Sequence, residues 1–320
     1  MQAELTYRIR NWPEYSRALI QRGSITVWVE EDAVKKWLSF DHTCQAGRPQ
    51  TYSDEAILMM LMLREVYHLP LRQLEGFVRS LFSIMGLDLP VPSYTQVSKR
   101  AKSLHKRLNR LLPQGKKVQH VIFDSTGLKV YGEGEWKVRI HGKSKRRTWR
   151  KLHIGIDAET QNIVCCKLTK NDKGDAEIAE GMLEELPQGL ESARGDGAYD
   201  ANRFRKKVHS KGASCIVPPP RDAAYKGAKS GWEKERDEAI STIQGFGGDE
   251  VGRKLWKICS GYHERSLVET AMFRVKKIFG DKLKARLVES QQTEAICKCL
   301  IINKMNQLGM PKFEWIWKAA

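Results

Sequence analysis

The sequence predicts an α/β fold in which helices flank a mixed sheet, preceded by an all-helical N-terminal domain. Up to about residue 117, apolar residues recur at helical spacing. Beyond that point, short β-rich apolar runs alternate with helix-like stretches, which is typical of an α/β domain. The change falls at "PQGKK", residues 113–117, which has the composition of a linker. We therefore predict a helical region over residues 1–117 and a second domain over 118–320.

Three helices are predicted in the N-terminal region. Ser53 is a suitable N-cap for "DEAILMMLMLREVYH", and the next helix starts near Pro70 and ends at Gly86. Ser93 or Thr95 would cap a third helix, which carries the basic residues Lys99, Arg100, Lys102, Lys106, Arg107 and Arg110. A helix, a short Pro-bearing turn and a basic helix suit a DNA-binding helix-turn-helix, with Arg100 and Lys102 as DNA contacts. A plain helical bundle with a solvated basic face explains the same pattern, so both interpretations stay open.

The second domain begins with three predicted strands, one in "VQHVIFDSTGLKVYG" and two in "RTWRKLHIGIDAETQNIVCCKLTK". A helix capped by Asp175 follows, and then a short strand that ends at Asp196. Asp200 is the predicted cap of the next helix. The remaining predicted elements are a strand in "ASCIVPPP", helices around 232–243 and 250–279, and an apolar tail, "FEWIWKAA", that packs on the body of the protein or on a second subunit.

Charge and cysteine content narrow the class of protein. The net charge is +17, which points first to nucleic acid as a partner. No run of about 18 apolar residues and no signal-peptide pattern is present, so the sequence predicts no membrane association. The seven cysteines include no C-x-x-C pair, which favours reduced thiols in a cytoplasmic protein over a zinc site.

The stretch "GYHERSLVETAMFRVKKIFG", residues 261–280, carries an unusual polar pattern. Tyr262, Arg265, Glu269 and Lys276 lie at offsets of three, seven and fourteen residues. If the stretch is one helix, a turn of about 100° per residue places all four groups within a sector of about 60°. An ordinary solvated stripe could produce the same spacing by chance.

Two further carboxylates have distinctive settings. Asp124 follows the apolar run "VIF", and Asp196 lies between two glycines in "RGDGAYD". Two strand carboxylates and the helical Glu269 would supply the hard oxygen ligands that Mg²⁺ prefers. Two such ions about 4 Å apart can activate an attacking oxygen and stabilise a leaving one. Glu264 is expected on another helix face and is excluded from this site.

A basic run covers residues 137–151, just after the first aspartate. Beside a metal site it predicts contacts with DNA phosphates, although such runs are usually solvated surface. The residues proposed for these contacts are Lys143, Lys145, Arg146, Arg147 and Arg150.

These blocks together resemble the DDE transposases of bacterial insertion sequences. "FDSTGLKVYGEGEWKVRIHGKSKRRTWRKLHIGIDAET" is similar to the region around the family's first aspartate, and "GDGAYD" to that around the second. The family's Y-x2-R-x3-E-x6-K signature is present from Tyr262 to Lys276. The N-terminal segment from Leu69 to Leu104 resembles the helical domain found ahead of it.

The resemblance implies a ribonuclease H-like catalytic domain with Asp124, Asp196 and Glu269 as the metal-binding catalytic triad. It assigns DNA contacts near the cleaved end to Tyr262, Arg265 and Lys276. The implied cofactor is two Mg²⁺ ions, with Mn²⁺ as a substitute. The implied reaction is cleavage at the element ends to free a 3′-hydroxyl, which then attacks target DNA.

The implied partners are double-stranded DNA, as terminal inverted repeats and target, and a second copy of the chain, because two ends must be processed together. The implied location is the bacterial cytoplasm, at the nucleoid. Two alternatives stay open: a catalytically idle DNA-binding repressor of transposition, and a structure-selective nuclease that cleaves without joining.

Overall fold

The computed structural model describes residues 4–39, 50–112, 118–130 and 149–318. The chain forms two compact units, one of residues 1–97 with 301–320 and the other of residues 98–300. The boundary between DNA-binding and catalytic regions that we predict at residue 117 stays a prediction, because compactness does not reveal which residues touch DNA. In the part of the chain that is described, no helix has the length and apolar character needed to cross a membrane.

Helices dominate the first unit. They are α1 (Trp12–Gln21), α2 (Ile25–Trp28), α3 (Glu31–Lys35), α4 (Asp54–Val66), α5 (Leu71–Ile84) and the start of α6 (Tyr94–Leu108). The Ser53 side chain accepts a hydrogen bond from the Ala56 backbone N–H, so the predicted cap of α4 is confirmed. Ser93 and Gln96 each accept a hydrogen bond from the other's backbone N–H, which confirms Ser93 as the cap of α6.

The turn between α5 and α6 bears on the predicted helix-turn-helix. It covers residues 85–93, which is longer than the three or four residues usual in that motif. Val97, Ala101, Leu104 and Leu108 form the buried face of α6, and its basic residues lie on the outer side. DNA binding by this helix stays a prediction.

The N-terminal region is not purely helical, which departs from the predicted all-helical domain. Strand β1 (Glu4–Ile9) pairs antiparallel with β8 (Phe313–Lys318), formed by the apolar C-terminal tail. The Arg8 side chain is 2.5 Å from the Glu314 carboxylate across this pair. A strand at one end of the chain that pairs with a strand at the other end leaves no local pairing signal in the sequence.

A six-stranded mixed sheet forms the centre of the second unit. Its strands are β2 (His120–Val130), β3 (Trp149–Asp157), β4 (Ile163–Lys170), β5 (Ser192–Arg194), β6 (Ser214–Ile216) and the short β7 (Lys282–Leu283). The order is β4-β3-β2-β5-β6, with β7 paired to the end of β2. The first three strands are antiparallel, and β5 and β6 run parallel to β2. This is the ribonuclease H-like arrangement, as predicted.

Helices cover both faces of the sheet. On one face, α7 (Asp175–Glu185) and α8 (Asn202–Ser210) share a core with Phe123, Ala193 and Cys215. On the other, α11 (Ser266–Phe279) packs on β2 and β3. Successive side chains of a strand point to opposite faces. Because Phe123 faces α7 and α8, Asp124 is directed towards α11.

The chain between β6 and α11 forms two helices, α9 (Gly231–Gly245) and α10 (Glu250–Cys259), which pack together. A Cβ atom at Gly252 would lie 2.3 Å from the Ile243 carbonyl oxygen, so only glycine permits this close approach. The remaining helix, α12 (Val288–Leu308), ends ahead of β8.

Candidate active site

Asp124 lies in the middle of β2, on the central strand of the sheet. One carboxylate oxygen accepts a hydrogen bond of 2.8 Å from the Ser125 backbone N–H. Burial raises the pKa of Asp124, and the charges of Asp196 and Glu269 raise it further, although Arg265 and the Ser125 hydrogen bond oppose them. The charges of Asp196 and Glu269 thus both reach the Asp124 carboxylate.

Asp196 follows β5 and begins a short 3₁₀ turn, Gly197–Tyr199. Its side chain caps this turn by accepting a hydrogen bond of 2.9 Å from the Ala198 backbone N–H. A Cβ atom at Gly195 would lie 2.6 Å from the ring of Tyr199, whereas one at Gly197 would meet nothing closer than 3.9 Å. The first glycine of "GDG" therefore makes room for the buried tyrosine of the same motif.

This difference between the two glycines gives a testable prediction. Gly195→Ala should lower the free energy of unfolding by about 1–3 kcal/mol, because the Tyr199 ring must shift against the core. Gly197→Ala, the matched control, should change it by less than about 0.5 kcal/mol. Urea denaturation of both variants is the measurement, and equal midpoints would contradict the prediction.

Glu269 is on the first turn of α11, but the predicted single helix over 250–279 is wrong. Helix α10 ends at Cys259, and Gly261 has a φ of 69°, a left-handed conformation that glycine adopts most easily. Residues Tyr262–Arg265 form a 3₁₀ turn before α11 begins at Ser266. The predicted 60° sector therefore applies to Glu269 and Lys276 alone.

Arg265 nevertheless joins two of the triad carboxylates. Its guanidinium pairs with Glu269 and lies 4.0 Å from the Asp124 carboxylate. The charges of Asp124, Asp196 and Glu269 all help to raise the pKa of Arg265 against the effect of burial. A positive charge among these carboxylates offsets their mutual repulsion.

The cluster does not have the spacing of a formed metal site. Among the described residues, no group of three His, Cys, Asp or Glu side chains is arranged to hold a metal ion. The donor set still fits a hard divalent cation, because it consists of carboxylate oxygens, and two of the carboxylates, Asp124 and Glu269, already share one cationic partner.

Tyr262 is packed among neighbouring side chains. Its ring lies 6.1 Å from that of Trp256, and the Lys257 ammonium and Arg265 guanidinium lie over it at 5.3 and 5.8 Å. Burial, the largest effect, raises the pKa of its hydroxyl.

Glu264, excluded from the site on sequence grounds, has a structural partner. It lies 3.1 Å from Arg194, a buried residue at the end of β5. Arg194 also donates a hydrogen bond of 2.8 Å to the Ser192 hydroxyl. This ion pair ties the strand that leads to Asp196 to the turn that carries Arg265. No sequence pattern points to Arg194, because its partner Glu264 lies far away in the chain.

The predicted cap role of Asp200 is wrong. Residue Ala201 is at the start of α8 without a side-chain cap. Asp200 instead lies 2.5 Å from Arg205 and 3.0 Å from Arg236 of α9. A buried carboxylate pairs with two guanidiniums in preference to backbone N–H groups, because their positive charges compensate its negative charge.

The predicted cap role of Asp175 is also wrong, since Gly174 is in the cap position. The Asp175 carboxylate lies 2.8 Å from Lys151 and 3.3 Å from the buried His153. Burial works against its charged form, but the nearby His153, the hydrogen bond from the Lys151 ammonium and the nearby Ser125 hold the pKa of Asp175 well below its usual range.

This shift predicts a pH-dependent contribution to stability. Because the pKa of Asp175 is lower in the folded chain than in the unfolded chain, its ionised carboxylate stabilises the fold at pH values above the unfolded pKa of about 3.9. This stabilisation is lost as the pH falls below that value. Asp175→Asn should lower the free energy of unfolding by about 1–3 kcal/mol at pH 7. The difference in the free energy of unfolding between this variant and the wild type should become smaller below about pH 4. Urea titrations of both proteins between pH 7 and below pH 4 test this prediction. A difference in the free energy of unfolding that does not change with pH would contradict it.

The other predicted DNA contacts are distributed over the second unit. Lys276 and Lys102 are exposed, and Arg100 is half-buried. Arg150 donates a hydrogen bond of 3.1 Å to Gln291, which gives it a structural partner. The remaining four, Lys143, Lys145, Arg146 and Arg147, lie outside the described residues.

Comparison with solved structures finds transposases at low similarity. A Mos1 transposase paired-end complex with left transposon end is 13% identical, with a TM-score of 0.22, and the match covers 57% of this chain and 62% of that one. A piggyBac transposase synaptic complex with hairpin DNA is 10% identical, with a TM-score of 0.36, covering 96% and 78%. A pre-cleavage Mos1 transpososome is 11% identical, with a TM-score of 0.21, covering 72% and 82%. TM-scores this low support no conclusion about the function of this chain.

Family comparison is more informative. Two family models, both described as "Transposase DDE domain", match residues 20–133 and residues 115–304. The second match contains Asp124, Asp196 and Glu269 and covers more than half of the 320 residues. The chain therefore belongs to the DDE transposase domain family.

Proposed function

We propose that this chain cuts DNA at the ends of an insertion sequence and joins the freed 3′-hydroxyl to target DNA. The observation that carries the proposal is that Asp124 and Glu269 both approach Arg265, while Asp196 follows β5, the strand that pairs in parallel with β2 next to Asp124. All three carboxylates lie within the segment that the Transposase DDE domain model matches. No covalent protein–DNA intermediate is required.

The three carboxylates would hold the divalent cations that DDE transposases generally use, here two Mg²⁺, with Mn²⁺ able to substitute. Bound cations would supply Lewis-acid stabilisation of charge at the reacting phosphate. Asp124 is suited to this role because its charged form is costly to maintain in a partly buried position. A nearby positive charge relieves that cost.

The basic residues would position the DNA. Arg265 offers a planar guanidinium that can fork onto a phosphate, and the exposed Lys276 supplies a point charge on the same helix as Glu269. Tyr262 would contact DNA through its hydroxyl, because neighbouring side chains already pack against its ring. Arg100, Lys102 and the basic run over 143–150 would bind phosphates further from the cut.

The DNA partners would be the element's terminal inverted repeats and a target duplex. The net charge of +17 favours such a polyanion. Since two ends must be cut and joined in one event, we propose that two copies of the chain assemble on the DNA. The place of action would be the bacterial nucleoid.

Cleavage of a supercoiled donor plasmid tests the proposal. The donor carries the genomic DNA that flanks the reading frame on both sides. We expect strand breaks at the element ends with Mg²⁺ or Mn²⁺, and none with excess EDTA. Binding without cleavage in either metal would identify a repressor instead.

A second substrate separates a transposase from a nuclease. Pre-cut ends with free 3′-hydroxyls are mixed with a target plasmid, and insertion products are sequenced. We expect joined products. Cleavage of the donor combined with no joining of pre-cut ends would identify a nuclease without strand transfer.

A further inference from the structure

The ion pair between Arg194 and Glu264 lies outside the Y-x2-R-x3-E-x6-K signature. Arg194 is the last residue of β5, and its side chain is 8% exposed. One guanidinium nitrogen lies 3.1 Å from the Glu264 carboxylate, and another donates a hydrogen bond of 2.8 Å to the Ser192 hydroxyl. Glu264 therefore supplies a counter-charge for a buried cation, and a buried cation is costly to leave unpaired.

Both partners are close in sequence to residues of the candidate active site. Arg194 lies two residues before Asp196, and Glu264 directly precedes Arg265. Arg265 pairs with one of the other two triad carboxylates and lies 4.0 Å from the second. The ion pair thus joins the strand end that leads to Asp196 to the turn that contacts the rest of the triad.

The two elements that carry the pair are short. Strand β5 has three residues, and the 3₁₀ turn with Glu264 has four. Hydrogen bonds in 3₁₀ turns have poorer geometry than those in α-helices. A Cβ atom at Gly261, just before this turn, would lie 3.7 Å from the Arg194 guanidinium, so the chain passes directly beside the buried cation. The ion pair therefore adds a constraint that the backbone of these elements does not supply.

We propose that Arg194 and Glu264 are positioning residues that hold Asp196 close enough to the other two triad carboxylates for a shared divalent cation. The inference rests on the proposed function and adds two residues to it. Partners that orient the ligands of a metal typically contribute about 10–100-fold to metal affinity. Because the pair acts through Asp196, neither of its members is a catalytic residue.

Charge and position predict opposite results for Arg194→Gln. The substitution removes a positive charge two residues from Asp196, and by Coulomb attraction alone this should strengthen the binding of a divalent cation. It also releases the end of β5 from Glu264, which should weaken that binding if the pair positions Asp196. Glu264→Gln should weaken cation binding on either account.

The measurement is Mn²⁺ binding, followed by electron paramagnetic resonance, to the protein on pre-cut end DNA with a free 3′-hydroxyl. We expect Arg194→Gln and Glu264→Gln each to bind Mn²⁺ at least about tenfold more weakly than the wild type. Their affinity for the DNA should not change, and cleavage of the supercoiled donor should need correspondingly more Mg²⁺. The double variant Arg194→Glu/Glu264→Arg should recover most of the lost Mn²⁺ affinity, because it restores the pair with its charges exchanged.

Lys207→Gln is the matched control. Lys207 and Glu184 are 2.7 Å apart and link α8 to α7, two helices that carry no triad residue. This variant should bind Mn²⁺ like the wild type. Thermal unfolding checks that every variant is folded at the assay temperature. If the double variant does not fold, Arg194→Gln still decides between the effects of charge and position.

The possible failures differ from one another. Wild-type or stronger Mn²⁺ binding by either folded single variant would refute the positioning role, and so would an equal loss in Lys207→Gln. A folded double variant that binds Mn²⁺ as weakly as the single variants would also refute it. The transposase proposal would stand in each of these cases. Absence of Mn²⁺ binding by the wild type would refute both the positioning role and the proposed metal-dependent function.

Discussion

Asp124→Asn is expected to abolish DNA cleavage and strand transfer while the fold and DNA binding persist. The substitution keeps the shape of the side chain and an oxygen that can accept the Ser125 backbone N–H. It removes the negative charge that a divalent cation requires. We expect the cleavage rate with Mg²⁺ to fall by about 10³-fold or more, as for other groups that act directly in the transition state.

The same substitution should not destabilise the protein. The raised pKa of Asp124 shows that its charged form is unfavourable in the fold, chiefly because of burial and also because of Asp196 and Glu269. A neutral amide avoids that cost, so the free energy of unfolding should stay equal or rise by about 1 kcal/mol. Activity would then be lost without a loss of stability, which a simple folding defect cannot produce.

The measurement combines the supercoiled donor assay, an electrophoretic mobility shift on end DNA and a urea titration. Asp196→Asn and Glu269→Gln should give the same loss of cleavage. Glu250→Gln is the control, since this carboxylate is exposed on α10 and forms an ion pair with the exposed Arg221. Wild-type cleavage by Asp124→Asn would refute the assigned triad.

The sequence was sufficient to predict the order of strands and helices from β2 to β6 in the second unit. Apolar runs with β-branched residues, such as "VIF", are buried on both faces of the sheet, and this composition is visible without a structure. Asp124 interrupts such a run, so its place on a central strand could be predicted as well. The family resemblance then supplied the grouping of three distant carboxylates.

Features that depend on distant partners could not be predicted. Strand β1 pairs with β8 from the opposite end of the chain, and the Arg194–Glu264 ion pair joins residues 70 positions apart in sequence. The break at Gly261 was missed for another reason: a glycine inside a helical pattern is often tolerated, so its left-handed conformation was not evident. Because of this break, Arg265 reaches Asp124 and Glu269 from a turn instead of lying along the helix.

Asp200→Ala is expected to cause the largest loss of stability. The Asp200 carboxylate and the Arg205 guanidinium are each 1% exposed, and Arg236 pairs with the same carboxylate. Arg205 also donates a hydrogen bond of 2.8 Å to the Val217 carbonyl. Removing Asp200 leaves a buried guanidinium without its counter-charge, which should lower the free energy of unfolding by about 3–5 kcal/mol.

A surface ion pair in the same unit provides the comparison. Glu250 and Arg221 are 2.6 Å apart but about four-fifths exposed, so Glu250→Ala should change stability by less than about 1 kcal/mol. Urea denaturation at neutral pH measures both variants. Overlapping curves for Asp200→Ala and the wild type would show that Arg205 finds another partner and that the buried pair contributes little.

Asp200 also connects the candidate active site to α9. It ends the 3₁₀ turn that begins at Asp196, and its two arginines belong to α8 and α9. Loss of the carboxylate should therefore disturb the position of Asp196 even in molecules that stay folded. We expect Asp200→Ala to cleave donor DNA more slowly at a temperature where circular dichroism shows a native fold. A wild-type rate under those conditions would show that Asp200 stabilises the fold without positioning Asp196.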